Sequence, residues 1–213
     1  MNFSAFLDLV VNIKHLPLLG EDAHALLSPP YRQNLAAVNK EKKKTASRAG
    51  VMALFYPNIN NETHLVFILR KTYKGVHSAQ VGFPGGKVEK DDLDLKDTAI
   101  RETEEEIGVF RDTIEVLKTL SPLYIPPSNF MVHPFLGIAK QTPKFIKQDD
   151  EVEIIIEVSL KDILNERNVI NTKVPTSYNI EVEVPAFQLN NYIVWGATAM
   201  MLSEIKVLLK QLL

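Results

Sequence analysis

Apolar positions in the first dozen residues, Phe3, Phe6, Leu7, Val10 and Val11, recur at the spacing of one helix face, and Pro17 bounds the helix they predict. Pro29 and Pro30 break the next segment, and the charged stretch Glu41 to Lys44 reads as a solvated loop. The pattern then changes to short apolar runs. Gly50 to Tyr56 and His64 to Leu69 predict two strands, and the turn formers Pro57, Asn58, Asn60 and Asn61 between them predict a β-hairpin. After the glycine-rich stretch Gly82 to Gly86, helical periodicity returns from about Lys96 to Ile107 and is closed by Gly108. Further strands are expected near Ile114 to Leu120, Val132 to Ala139, Val152 to Val158 and Ile180 to Val184, with a short helix at Leu160 to Leu164. From Ala197 to Leu213, the residues Met200, Ile205, Leu208, Leu209 and Leu212 form a broad helical stripe. Irregular alternation of strands and helices, with hairpins, predicts a mixed sheet covered by helices rather than a doubly wound parallel sheet.

Composition narrows the picture. A chain of 213 residues, 46% hydrophobic and 23% charged, can bury a core and is expected to form one domain with elaborations. The division expected is a helical extension over 1–45, packed on a core domain over 46–213. Lys and Arg number 24 against 26 Asp and Glu, giving a net charge of -2, so no broad basic footprint for nucleic acid exists and any nucleotide partner should be small. The chain has no cysteine, which removes disulfides, thiolate nucleophiles and Cys-ligated metal sites together. Met1 to Leu19 lacks a basic leader, and Asp8 and Lys14 interrupt its apolar run well short of the roughly 18 residues of a membrane span. A cytoplasmic protein without a membrane partner is therefore expected. Apolar residues on the terminal helices suit either the core or a homodimer interface.

Candidate chemistry is concentrated in one segment. On the helix predicted to end at Ile107, Glu102, Glu105 and Glu106 stand at i, i+3 and i+4 and share a face, opposite Ile100, Thr103 and Ile107. Like charges at this spacing repel unless a cation compensates, and a hard divalent ion such as Mg²⁺ both compensates and bridges to phosphates. A plain acidic helix face is the usual meaning of a glutamate cluster. Here it is accompanied by Gly85 and Gly86, which allow close backbone approach, by Gly108 at the helix end, and by Arg101 and Asp92, which can pair and hold the loop against the helix.

These residues resemble the signature of the Nudix hydrolases, G-x5-E-x7-R-E-U-x-E-E-x-G-U with U apolar. The match covers Gly86, Arg101, Glu102, Glu105, Glu106, Gly108 and Val109, with Asp92 in place of Glu and eight residues rather than seven before Arg101. Both departures resemble the coenzyme A diphosphatase branch, as do the run Thr98-Ala99-Ile100-Arg101-Glu102, the stretch from His77 through Gln80 and Val81 to Phe83-Pro84-Gly85-Gly86, the segment from Ser121 to Pro134, and Trp195-Gly196-Ala197-Thr198-Ala199. The resemblance implies an α/β fold, an α/β/α sandwich around a mixed sheet, with an added N-terminal helix. It also implies a Mg²⁺- or Mn²⁺-dependent attack of water on a diphosphate. By the family's pattern Glu102, Glu105, Glu106 and the carbonyl of Gly85 hold the metal, with Asp92 and Arg101 in support. Families within the group place the proton acceptor differently, and Glu105 and Glu151 or Glu153 are the alternatives here. Arg70, Lys71 and Lys74, beside the phosphate-handling loop, and His77 are expected to contact substrate. His133 is an orienting or structural histidine, and Trp195 is expected in the core.

The substrate expected is coenzyme A or an acyl thioester of it. ADP-ribose, NADH or a dinucleoside polyphosphate is the alternative, and a nucleotide-sensing module without turnover is a third reading. One departure bears on selectivity: Gly75 stands where the branch carries an arginine, which implies weakened discrimination for the 3'-phosphate of coenzyme A.

Overall fold

The computed structural model describes residues 1–32, 40–71, 80–175 and 181–213. In chain order these form α1 (Phe3–Val10), α2 (Gly20–Ala25), α3 (Lys40–Lys44), β1 (Ser47–Pro57), β2 (Thr63–Arg70), β3 (Val81–Gly82), β4 (Gly85–Lys87), α4 (Leu95–Ile107), β5 (Ile114–Thr119), β6 (Leu123–Ile125), β7 (Phe130–Ala139), β8 (Val152–Ser159), α5 (Leu160–Leu164), β9 (Val169–Pro175), β10 (Glu181–Leu189), β11 (Tyr192–Trp195) and α6 (Gly196–Lys210).

Strand β1 lies at the centre because its sequence can be covered on both sides. Ala53 and Phe55 point into one apolar cluster with Phe6, Phe67, Leu136 and Leu202, while Met52, Leu54 and Tyr56 point into another with Ile68, Ala99 and Ile107. An uninterrupted apolar run is what a strand buried on both faces requires. It pairs in parallel with β7, from Ser47 opposite Phe130 to Phe55 opposite Ile138, and antiparallel with β2 and β4. Strand β8 extends the sheet from β2, and β5 and β6 both pair with β7, all antiparallel. The expected mixed sheet and the β1–β2 hairpin are present.

Helix α4 packs against one face of the sheet, and α1 and α6 contribute Phe3, Phe6, Val10, Met200, Leu202 and Ile205 to the cluster on the other. A second sheet, β9–β10–β11, adds Phe187, Leu189 and Val194 to that same cluster. Two expectations are corrected here. The Lys42 to Lys44 stretch belongs to the short helix α3 rather than to a loop, although its side chains are exposed as expected. The strand expected at Ile180 to Val184 is longer, reaching Leu189, and has partners on both sides that the sequence pattern did not single out.

Candidate active site

Asp92 organises the site from the loop ahead of α4. Its carboxylate accepts from Arg101 Nε at 2.8 Å and Nη2 at 3.1 Å, from Thr98 Oγ1 at 2.8 Å and from the Glu89 amide at 2.8 Å. The two-pronged bond from Arg101 is the chief reason this carboxyl is held well below the usual carboxylate range. Arg101 spends its remaining donors on Glu102 Oε1 at 3.0 Å, Glu105 Oε2 at 2.8 Å and the Lys87 carbonyl at 3.2 Å. One guanidinium thus joins the Asp92 loop, strand β4 and the acidic face of α4.

The helix is fixed at both ends. Asp94 caps its start by accepting from the Asp97 amide at 2.8 Å. At the other end Gly108 takes φ +72°, and its amide donates to Glu104 O at 2.9 Å. The last carbonyls, of Glu106 and Ile107, accept from the amides of Gln148 and Ile146, both at 3.0 Å. The segment ahead of β8 is thereby tied to the helix turn that carries Glu106.

Glu106 is 1% exposed. Its Oε2 accepts from the Gly85 amide at 2.7 Å, and its Oε1 lies 3.5 Å from Arg70 Nη1 without a hydrogen-bond partner among the described residues. Burial pushes its pKa up to about 8, against the opposing charge of Arg70 and the Gly85 bond. Glu102 is also raised, by burial first, with Arg101 pulling the other way. Glu151 lies near enough for its charge to be felt at both. Strand β4 makes room for this: a Cβ on Gly86 would stand 2.4 Å from Glu102 Oε1.

These groups fit a hard divalent cation. A buried carboxylate oxygen without a hydrogen bond, a second half-buried carboxylate and the Gly85 carbonyl, approached only by Arg70 at 3.4 Å, form an oxygen donor set of the type Mg²⁺ and Mn²⁺ take. Of the three glutamates expected to converge, Glu105 is 55% exposed in its side chain and, like Glu102, bound to Arg101, and among the described residues no three acidic or histidine side chains are preassembled as a metal cluster. Glu106 is buried deeply and Glu105 is turned outward, so the helix face fans from core to solvent instead of focusing on one point.

Beside these carboxylates opens a cavity of about 390 Å³. Arg70, Gly85, Gly86 and Lys87 line its polar end, and Phe130, Trp195 and Met201 are among the apolar residues of its walls. Of the other expected substrate contacts, Lys71 does not line this cavity, and its amide donates to Glu151 O at 2.9 Å. Lys74 and His77 lie outside the described residues. His133 does not line the cavity, and burial lowers its pKa. Trp195 is a correction: it is partly exposed and forms cavity wall rather than core. Arg32, from the amino-terminal segment, also lines the cavity. A single arginine just after a proline-broken stretch carries no periodicity that would have singled it out.

The NUDIX domain matches residues 47–176, which holds β1, the Gly85–Gly86 strand, α4 and the segment that buttresses it. The chain belongs to the Nudix family. Over 147 residues it is 32% identical to a Yersinia pestis protein described as the uncharacterized Nudix hydrolase NudL, covering 65% of this chain and 68% of that one. It is 28% identical over 175 residues to Nudix hydrolase 15, mitochondrial, of Arabidopsis thaliana, covering 79% of this chain and spanning 61% of the relative's length. Among solved structures it is similar to a MutT/nudix family protein from Enterococcus faecalis, with a TM-score of 0.49 and 21% identity over 84% of this chain and 70% of that one. No helix among the described residues is long and apolar enough to cross a membrane.

Proposed function

We propose that this Nudix chain is a divalent-metal-dependent diphosphatase of coenzyme A or its acyl thioesters, releasing 4'-phosphopantetheine or its acyl form and adenosine 3',5'-bisphosphate. The observation that carries the hydrolytic part of this reading is the buried Glu106 carboxylate, with one oxygen lacking a hydrogen bond among the described residues, beside a cavity lined by both polar and apolar residues. Glu102, Glu106 and the Gly85 carbonyl would hold Mg²⁺ or Mn²⁺, which when bound neutralises phosphate charge and acidifies water. Arg70 reaches both Gly85 O and the cavity, and its role is to bind the diphosphate oxygens. Asp92 and Arg101 keep Glu102 and the β4 strand in register.

In the reaction, water oxygen forms a bond to one phosphorus, the bridging P–O bond breaks, and the water proton passes to a carboxylate. Glu151 is assigned this proton, because its charge reaches Glu102 and Glu106 while Glu105 is tied to Arg101. The apolar wall that includes Phe130, Trp195 and Met201 supports a substrate with an extended or ring-bearing organic moiety.

Hydrolysis of coenzyme A, dephospho-coenzyme A, ADP-ribose, NADH and a dinucleoside polyphosphate, each with Mg²⁺, Mn²⁺ or EDTA, tests the proposal when products are resolved by mass spectrometry. Coenzyme A is expected to be cleaved only with metal, and Glu151→Gln should lower kcat by about 10²-fold or more while Glu105→Gln costs less. Cleavage of ADP-ribose or NADH without coenzyme A would replace the substrate, and the absence of turnover with every substrate would favour a sensing module.

A further inference from the structure

Arg32 lies outside the matched Nudix span and outside the carboxylate cluster, yet it lines the same cavity as Arg70 and Gly86. It is partly buried, and no carboxylate among the described residues pairs with it. Its Nη2 donates to the carbonyl of Tyr124, the residue before the cavity-lining Ile125. The turn that carries Tyr124 is itself fixed, since Tyr124 Oη donates to Asn129 Oδ1 at 2.8 Å and Asn129 takes the left-handed φ of +52°. Burial lowers the pKa of the guanidinium, with the neighbouring Tyr31 acting the other way. A positive charge partly withdrawn from water with no carboxylate beside it among the described residues is costly, and a planar guanidinium fork suits phosphate oxygens.

We propose that Arg32 is a specificity-determining residue that binds a second phosphate of the substrate, remote from the scissile diphosphate and separated from it by a moiety lying along the apolar wall. The proposal rests on the diphosphatase reading above. It runs against the weakened 3'-phosphate discrimination expected from Gly75, a residue outside those described.

The test compares kcat/KM for coenzyme A and dephospho-coenzyme A in the wild type, Arg32→Gln and Arg32→Lys, together with inhibition by adenosine 3',5'-bisphosphate and by AMP. The wild type should prefer coenzyme A. Arg32→Gln should reduce kcat/KM for coenzyme A by about 10-fold or more, mainly through KM, and change dephospho-coenzyme A by less than about 2-fold, as expected for loss of one charge-assisted contact. Arg32→Lys should keep part of the preference, and Arg32→Gln should weaken inhibition by adenosine 3',5'-bisphosphate but not by AMP. Parallel losses for both substrates and both inhibitors would mean that Arg32 merely pins its segment to Tyr124, and would overturn the proposal. So would a wild type without preference. If neither coenzyme is cleaved, the diphosphatase reading falls, while the Kd of adenosine 3',5'-bisphosphate and of AMP, measured by calorimetry on the wild type and Arg32→Gln, still decides whether Arg32 selects a second phosphate.

Discussion

Glu106 is placed where a carboxylate is least comfortable, almost fully buried with one oxygen lacking a hydrogen bond among the described residues, and its proposed role as a metal ligand rests on that placement. Glu106→Gln should therefore separate function from fold. Turnover is expected to drop at least 10²-fold at saturating Mg²⁺. The charge that burial penalises is also removed, so the metal-free mutant should melt no lower than the wild type at pH 8, measured by calorimetry with EDTA. Asp92→Asn should do the reverse. Asp92 is 3% exposed in its side chain and satisfied by four donors, so the change leaves Arg101 without its main partner. Removing one member of a buried pair costs about 3–5 kcal/mol, and the amide, which keeps shape and some bonding, should bring this to the order of 2 kcal/mol. A lower melting temperature together with a lower rate is expected; an unchanged melting temperature would place Asp92 against the reacting groups instead. At this scale much was legible in the sequence, because Asp92, Arg101 and the glutamates interact through spacing along one helix and its preceding loop. Arg32 and Trp195 were not legible as cavity residues, because their positions depend on where separate chain segments meet.

Among the elements, β4 and α4 act as one unit: the Arg101 guanidinium bonds to the Lys87 carbonyl, and the missing side chain of Gly86 admits the Glu102 carboxylate. Gly86→Ala is expected to displace Glu102, whose carboxylate is the flexible end of its side chain, so the fold should yield little while the site loses its geometry. The rate should fall by about 10-fold or more with a modest change in melting temperature, since misplacement by an ångström can cost 10²-fold. Comparable loss of both would show that the contact is chiefly structural. Long periodic elements such as α4, expected from Lys96 and observed from Leu95, were legible because amphipathicity and caps agree. Strands β3, β4 and β6, two or three residues each, are too short to show a period, and their pairing is defined by neighbours. Strand β9, half exposed along much of its length, offers little alternation to read.

Across the whole molecule, the two ends of the chain are joined by Glu204, buried in α6. Its carboxylate accepts from the Gly20 amide at 3.1 Å, the Ser121 amide at 3.1 Å and Ser121 Oγ at 2.6 Å, with His24 Nε2 at 3.4 Å. Burial alone would raise its pKa, but the nearby His24 and the bonds from Ser121 and Gly20 outweigh it and bring it down to about 2 from an ordinary 4.5. A depressed carboxyl contributes stability above its unfolded value and loses that contribution as pH falls through its folded value. The contribution is on the order of 3 kcal/mol, present at pH 5 and above and lost between about pH 4.5 and 2. Glu204→Gln should accordingly melt well below the wild type at pH 7, and the gap should close toward pH 2; a gap that does not vary with pH would refute the charge-based account.

The cavity's division between segments has a consequence for how such a protein can change. Glu102, Glu106 and Gly85 lie within residues 47–176, whereas Arg32, Trp195 and Met201 come from before and after that span. On the proposed reading, the hydrolytic groups fall within one stretch of the gene, while part of the cavity wall is encoded on either side of it. If that reading holds, recombination or drift in the flanks would retune what enters while leaving the hydrolytic groups in place, and a chimera with foreign flanks on this centre is the starting point for redirecting it.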